Sequence, residues 1–224
     1  MKRETLQVFF KLILNTISRP RFEGIEHVPT EGGILITTNH LSRFDIPILF
    51  MVPNRPDIVA LVTDKYKSNH FFSFIVNNTG CIWLDRSKAD FTAFREAIGV
   101  IKKDGALGIA PEGTRSSIGE LLEGKSGTAL LATRSGAPII PVGIRGSDTA
   151  TRDTFLLKRP FITARFGPAY YLPPMDRDNR EAYLESAIEE IMCRIAVLLP
   201  EKYHGFYHGH SRLLELIAEQ KPEF

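Results

Sequence analysis

Cysteine is scarce in this sequence, with only Cys81 and Cys193 among 224 residues. Two thiols build no disulfide framework, and no Cys-x-x-Cys pair is present to hold a metal. Cys81 lies in the apolar run Cys81-Ile-Trp-Leu84 and reads as a buried structural thiol rather than a nucleophile. A reducing compartment is the natural expectation. Long hydrophobic runs are missing too: no stretch reaches the roughly 18 apolar residues of a membrane-spanning helix. There is no block of consecutive basic residues, and a net charge of +2 is too small to draw nucleic acid by bulk electrostatics. A Gly-x-Ser-x-Gly elbow is absent, which argues against a serine acyl-enzyme. The chain also lacks internal repeats, low-complexity tracts and Gly/Ser linkers.

What is present is ordinary globular material, 43% hydrophobic and 24% charged, long enough to bury a full core. Short β-type runs recur at Gly33–Thr38, Ile58–Val62, Cys81–Leu84, Ala106–Ala110, Ile139–Ile144 and Phe161–Phe166. Most are continuously apolar, as in strands covered on both faces. Helical stretches fall between them, near 46–52, 69–77, 89–103, 124–135 and 180–199. In the third of these, Phe91, Phe94, Ile98 and Ile101 recur at helical spacing and form a core face. The alternation predicts a single α/β domain, a mostly parallel mixed sheet flanked by helices.

The N-terminal stretch Leu6–Ile17 is not a signal peptide, because Lys11 and Asn15 interrupt it and no small-residue cleavage site follows. On a helical wheel of about 100° per residue, Gln7, Ser18, Lys11, Glu4 and Asn15 share one arc of roughly 80°. Leu6, Phe9, Phe10, Leu12, Ile13, Leu14 and Ile17 fill the rest. Such a helix lies in a membrane interface or under another element. Lys2, Arg3, Arg19 and Arg21 flank it and would suit anionic head groups.

The sharpest chemical signal follows the first of these strands, Thr38-Asn-His-Leu-Ser-Arg-Phe-Asp45. His40 and Asp45 stand five apart, about 140° around one continuous helix, so they cannot meet there. They meet if His40 lies in the loop and Asp45 opens the next helix near its N-cap. Pro47 then falls in the first helical turn, where its missing N–H costs nothing. The carboxylate can hold one imidazole tautomer while the other nitrogen takes a proton from a hydroxyl. Two further strands end in Asp85-Arg86 and in Pro111-Glu-Gly-Thr-Arg115. With Lys125 these arginines would form an anion pocket, since forked guanidinium donors suit phosphate oxygens.

In order, Asn39-His-x-Ser42-x-x-Asp45, Gly80…Asp85-Arg86, Pro111-Glu-Gly-Thr-Arg115 and Pro138-Ile-Ile-Pro-Val142 resemble four blocks of the glycerolipid acyltransferases. The likeness is to the bacterial 1-acyl-sn-glycerol-3-phosphate (lysophosphatidic acid) acyltransferase type and covers roughly residues 22–168. It implies transfer of a fatty acyl group from an acyl thioester to the 2-hydroxyl of lysophosphatidate. His40 and Asp45 would be the catalytic dyad of the His-x4-Asp motif. Arg86, Glu112, Gly113, Thr114, Arg115 and Lys125 would bind substrate. Acyl-CoA or acyl carrier protein would serve as co-substrate, with no resident cofactor and no metal. The partners implied are a membrane lysolipid and the acyl carrier, with neither nucleic acid nor a nucleoside triphosphate. Ala110 departs from the pattern, where an aromatic often precedes Pro-Glu-Gly. Many members also carry a long hydrophobic N-terminal span that this sequence lacks. The expected organisation is therefore an interfacial helix over 1–20 and an acyltransferase domain over 21–224, peripheral on the cytoplasmic face of the cell membrane. Two rival readings are the same transfer to another lysolipid, such as a lyso-aminolipid, and a non-catalytic lipid-binding protein of the same fold.

Two other motifs carry less. Gly119-Glu-Leu-Leu-Glu-Gly-Lys-Ser126 fits the phosphate-loop pattern, but its first glycine does not follow directly on a strand. Glu120 and Glu123 would also turn negative charge toward a phosphate. In the tail, His204 and His208 stand four apart, yet Gly205 and Gly209 weaken any helix that would bring them to one metal.

Overall fold

A computed structural model describes residues 3–87, 90–156, 158–175 and 178–219. The apolar runs become strands, and a short helix or loop follows each. The chain runs α1 (Arg3–Ile17), β1 (Arg19–Glu23), β2 (Ile34–Thr38), α2 (Asp45–Leu49), β3 (Val59–Thr63), α3 (His70–Thr79), β4 (Ile82–Leu84), α4 (Phe91–Lys102) and β5 (Ala106–Ile109). It continues through α5 (Ser126–Ser135), β6 (Ile139–Arg145), α6 (Ala150–Phe155), β7 (Phe161–Phe166), α7 (Arg180–Ala196) and α8 (Ser211–Glu219). The seven strands form one sheet in the order β1-β7-β6-β2-β5-β3-β4. All neighbours are parallel except β6 and β7, which pair antiparallel. The expected α/β architecture is therefore present.

Side chains alternate across the sheet and build two cores. Leu35, Leu107 and Ile139 point to one face, where they meet Ala93 and Ala97 of α4, Leu131 of α5 and Ile191 of α7. Ile34, Ile36, Ile140 and Val142 point to the other, against Leu14 of α1 and Ile48 and Leu49 of α2. With both faces covered, the central strands can be apolar throughout. Truncating a residue as enclosed as Ile36 to alanine would cost about 2–5 kcal/mol. Helix ends follow local chemistry: the Asp90 side chain accepts from Ala93 N to cap α4, and Gly136 closes α5 at φ 65°.

Some sequence expectations need correction. Phe91 is 74% exposed, because the buried stripe of α4 is Ala93, Ala97 and Ile101. Strand β1 carries an Arg-Pro-Arg-Phe-Glu sequence without an apolar run, and it pairs with β7 at the sheet edge. The boundary expected at residue 20 therefore falls inside a strand.

Helix α1 is tied to the domain. Its Arg3 guanidinium donates to Pro56 O at 3.1 Å, to Thr79 O at 2.9 Å and to Ile58 O, and Gln7 Nε2 donates to Pro56 O at 2.6 Å. Arg3 is thus committed inward rather than free for head groups, while Lys2 lies outside the described residues. Leu6 and Leu14 are buried; Val8 and Leu12 are each 67% exposed, and Phe9 is exposed beside them. Among the described residues, no helix is long and apolar enough to cross a membrane.

Candidate active site

The parallel strands β2, β3, β4, β5 and β6 end on the same edge of the sheet, the edge where open α/β sheets place their sites. There β2 gives way to the loop of Asn39 and His40. Asn39 is fully buried and clamps this loop to the neighbouring strand: Nδ2 donates to Ile144 O at 2.8 Å, and Oδ1 accepts from Ile144 N at 2.7 Å. His40 Nδ1 lies 2.9 Å from Asp45 Oδ2, with the imidazole side chain 19% exposed and the carboxylate nearly enclosed. The same Oδ2 accepts the backbone N–H of Leu41 and of Ser42, each at 2.7 Å, and Ser42 Oγ donates to Oδ1 at 3.3 Å. A carboxylate only accepts, so in the neutral ring the proton sits on Nδ1 and Nε2 keeps its lone pair.

Asp45 is the first residue of α2, one position inside the expected N-cap, and Pro47 lies in the first turn as expected. The carboxylate reaches back to the loop instead of capping helix amides. Ser42 Oγ also accepts from Phe44 N at 3.0 Å.

The loop after β5 packs against His40. Glu112 is 1% exposed, and its Oε1 accepts from His40 N at 2.8 Å. Its Oε2 accepts from Leu122 N at 2.9 Å. Ser116 N donates to His40 O at 2.8 Å, so the histidine backbone is held on both sides. Burial pushes the Glu112 carboxyl up to about 7, against the two amide bonds that favour the charged form. With both oxygens engaged by backbone, Glu112 shapes the loop and offers no face to substrate. The side chain expected to bind substrate is thus enclosed within its own loop.

Gly113 turns at φ 66°, and a Cβ there would lie 3.1 Å from Lys125 Cδ and 3.6 Å from Nζ. The Lys125 side chain therefore lies over the Pro-Glu-Gly turn, and its backbone N–H donates to Pro111 O at 2.9 Å. Thr114 and Arg115 are exposed on the same loop. Arg86 is exposed beyond the end of β4, at the far side of the sheet from β2. Three strand spacings, about 14 Å, separate those strands. The structure thus brings together His40, Asp45, Glu112, Gly113 and Lys125, with Thr114 and Arg115 beside them, and leaves Arg86 apart.

The phosphate-loop pattern has another geometry here. Strand β5 ends at Ile109, well before Gly119, and Lys125 stands at the N-cap of α5. The tail histidines take separate partners: His204 Nε2 meets Leu199 O at 3.0 Å, while His210 Nδ1 lies 3.5 Å from Cys193 Sγ. Sequence reasoning assigned no role to Asn39 or to Tyr203 and Tyr207, which accept hydrogen bonds from Leu121 N and Gly124 N of the site loop. Asn39 stood directly before the histidine, which was a signal; the tyrosines had none.

Comparison with known proteins identifies relatives in sequence and in fold. The family model described as Acyltransferase matches residues 19–145. A 1-acyl-sn-glycerol-3-phosphate acyltransferase of Borreliella burgdorferi is 29% identical over 53% of this chain and 48% of its own. One of Cocos nucifera is 30% identical over 80% and 57%, and one of Limnanthes douglasii 39% identical over 71% and 55%. The chain spans about half the length of the curated relatives it matches. The crystal structure of the 1-acyl-sn-glycerophosphate acyltransferase PlsC from Thermotoga maritima superposes with a TM-score of 0.64. It is 20% identical and covers 83% of this chain and 76% of its own, a likeness of fold. With the family model matching more than half of its residues, this chain belongs to the acyltransferase family.

Proposed function

We propose that the chain transfers a fatty acyl group from an acyl thioester to the 2-hydroxyl of 1-acyl-glycerol-3-phosphate, yielding phosphatidate. The observation that carries this reading is the 2.9 Å contact of His40 Nδ1 with enclosed Asp45, which leaves Nε2 as a base beside a cationic loop. In the proposed step Nε2 takes the hydroxyl proton while that oxygen bonds to the thioester carbonyl carbon. The tetrahedral adduct then collapses, the carbon–sulfur bond breaks, and the imidazolium returns its proton to the leaving thiolate. Asp45 keeps the ring in the right tautomer and stabilises the imidazolium. Lys125 and Arg115 would hold the acceptor phosphate by charge-assisted contacts. Acyl-CoA or acyl carrier protein enters as co-substrate, so the step uses no resident cofactor.

The names of the relatives support lysophosphatidate as acceptor. A peripheral position on the cytoplasmic face of the membrane fits an acceptor that resides in lipid, and the apolar face of Val8, Phe9 and Leu12 on α1 is suited to that contact. Incubating purified protein with a panel of lysolipids and both donor types tests the reading. Phosphatidate formed from lysophosphatidate supports it; transfer confined to acceptors without a phosphate would replace it.

A further inference from the structure

The loop from Pro111 to Lys125 leans on the tail segment Tyr203–Tyr207, which lies outside the stretch 19–145 that matches the family. Leu121 is buried there with both backbone groups taken: its N–H donates to Tyr203 O at 2.8 Å, and its carbonyl accepts from Phe206 N at 3.0 Å. Gly124 N donates to the Tyr207 hydroxyl oxygen at 2.9 Å. Gly205 makes this approach possible, since it sits at φ 48° and a Cβ there would lie 2.4 Å from Leu121 O. The tail segment is itself anchored to the sheet: the Tyr203 hydroxyl donates to Asp148 Oδ1 at 3.1 Å and accepts from Gly146 N at 3.4 Å, just past β6. From the other side the loop is held by Glu112 at Leu122 N and by Pro111 O at Lys125 N. Lys125 therefore stands between an amide fixed by Tyr207 and its own amide fixed to the Pro-Glu-Gly turn.

We infer that Tyr203–Tyr207 is a positioning brace for the anion-binding part of the site, and that the Tyr207 hydroxyl sets where Lys125 stands; this rests on the acyl-transfer reading above. Tyr207 is a positioning residue: among the described residues it makes no hydrogen bond to His40 or Asp45, and it acts through Gly124 and Lys125. Its effect should fall on acceptor binding and spare the chemical step.

Tyr207→Phe removes one oxygen and keeps the ring between Phe206 and His210. A neutral hydrogen bond corresponds to roughly a two- to tenfold change in an equilibrium constant. The expected result is a KM for lysophosphatidate raised by about that factor, with kcat held within about twofold. Amide hydrogen exchange at residues 119–125 should quicken while the sheet stays protected. Lys125→Ala should cost less in the Tyr207→Phe background than in the wild type, because the two act on one subsite. Tyr203→Phe, which loosens the segment from Asp148, should shift KM in the same direction.

Unchanged exchange at 119–125, a fall confined to kcat, or strictly additive losses would overturn the brace. The exchange measurement needs no turnover. A wild-type chain inactive on every lysolipid would sink the acyl-transfer reading, and the brace would then be decided by exchange and by binding of lysophosphatidate alone.

Discussion

Glu112 Oε1 accepts the backbone N–H of His40 at 2.8 Å, joining residues 72 apart in sequence at the heart of the candidate site. The bond fixes the histidine's backbone, while Asp45 fixes its ring. Burial gives this carboxyl a value of about 7, above its ordinary 4.5, so the folded chain holds a proton that the unfolded chain releases. The stability from this group is whole below pH 4.5, drains as pH rises, and is gone above about 7. The full span corresponds to about 3 kcal/mol. Glu112→Gln should therefore flatten the fall in melting temperature between pH 4.5 and 7. A glutamine amide also turns an N–H toward one of the two backbone donors, so one bond is lost. Turnover should drop at least about tenfold as His40 drifts from its position. A melting profile that keeps the wild-type slope in Glu112→Gln would show that the pH dependence arises elsewhere.

How far such contacts could be read in advance depends on what makes them. The central strands were legible because Ile34–Thr38 and Ile139–Arg145 are covered on both faces and carry apolar side chains throughout. Strand β1 was not, since an edge strand reading Arg-Pro-Arg-Phe-Glu lacks both the run and the alternation. The meeting of His40 with Asp45 followed from their spacing and from Pro47, all local information. The bonds of Glu112 to His40 N and Leu122 N were hidden, because the partners are backbone amides brought near by the tertiary fold. For the same reason the family pattern suggested a substrate contact for Glu112, although the side chain is enclosed.

Lys125 is expected to serve the acceptor's phosphate. Lys125→Ala should raise the KM for lysophosphatidate about tenfold or more, since a charged contact is worth about 1.5–3 kcal/mol. The maximal rate should suffer less, and Lys125→Arg should retain part of the binding. Gly119→Ala should leave these kinetics alone, because nothing lies within 4 Å of the added Cβ. It should still lower stability by about 1–2 kcal/mol through the left-handed backbone at φ 79°. Neither ATP nor GTP with magnesium should raise the melting temperature. Micromolar nucleotide binding lost in both Lys125→Ala and Gly119→Ala would restore the phosphate-loop reading.

On α1, Val8, Phe9 and Leu12 face outward while Leu6, Leu14 and Arg3 hold the helix to the domain. Deleting the helix would uncover core, so surface substitutions are the cleaner probe. Val8→Ser with Phe9→Ser and Leu12→Ser should cut partition onto anionic vesicles at least tenfold, because burying each large apolar chain is worth about 1.5–3 kcal/mol. Melting temperature should barely move. Flotation equal to wild type would place the membrane contact on another surface.

The dyad is tested most directly by the rate of phosphatidate formation from 1-acyl-glycerol-3-phosphate in His40→Ala, measured against wild type at equal folded concentration with each acyl donor. The wild type should form phosphatidate. His40→Ala should lose roughly 10²–10⁴ in rate with its melting temperature and vesicle binding nearly intact, the share a positioned base supplies. Asp45→Asn should fall steeply as well, since the ring then loses the partner that selects its tautomer. A soluble, folded His40→Ala that still transfers acyl groups at close to the wild-type rate would contradict the role given to this histidine.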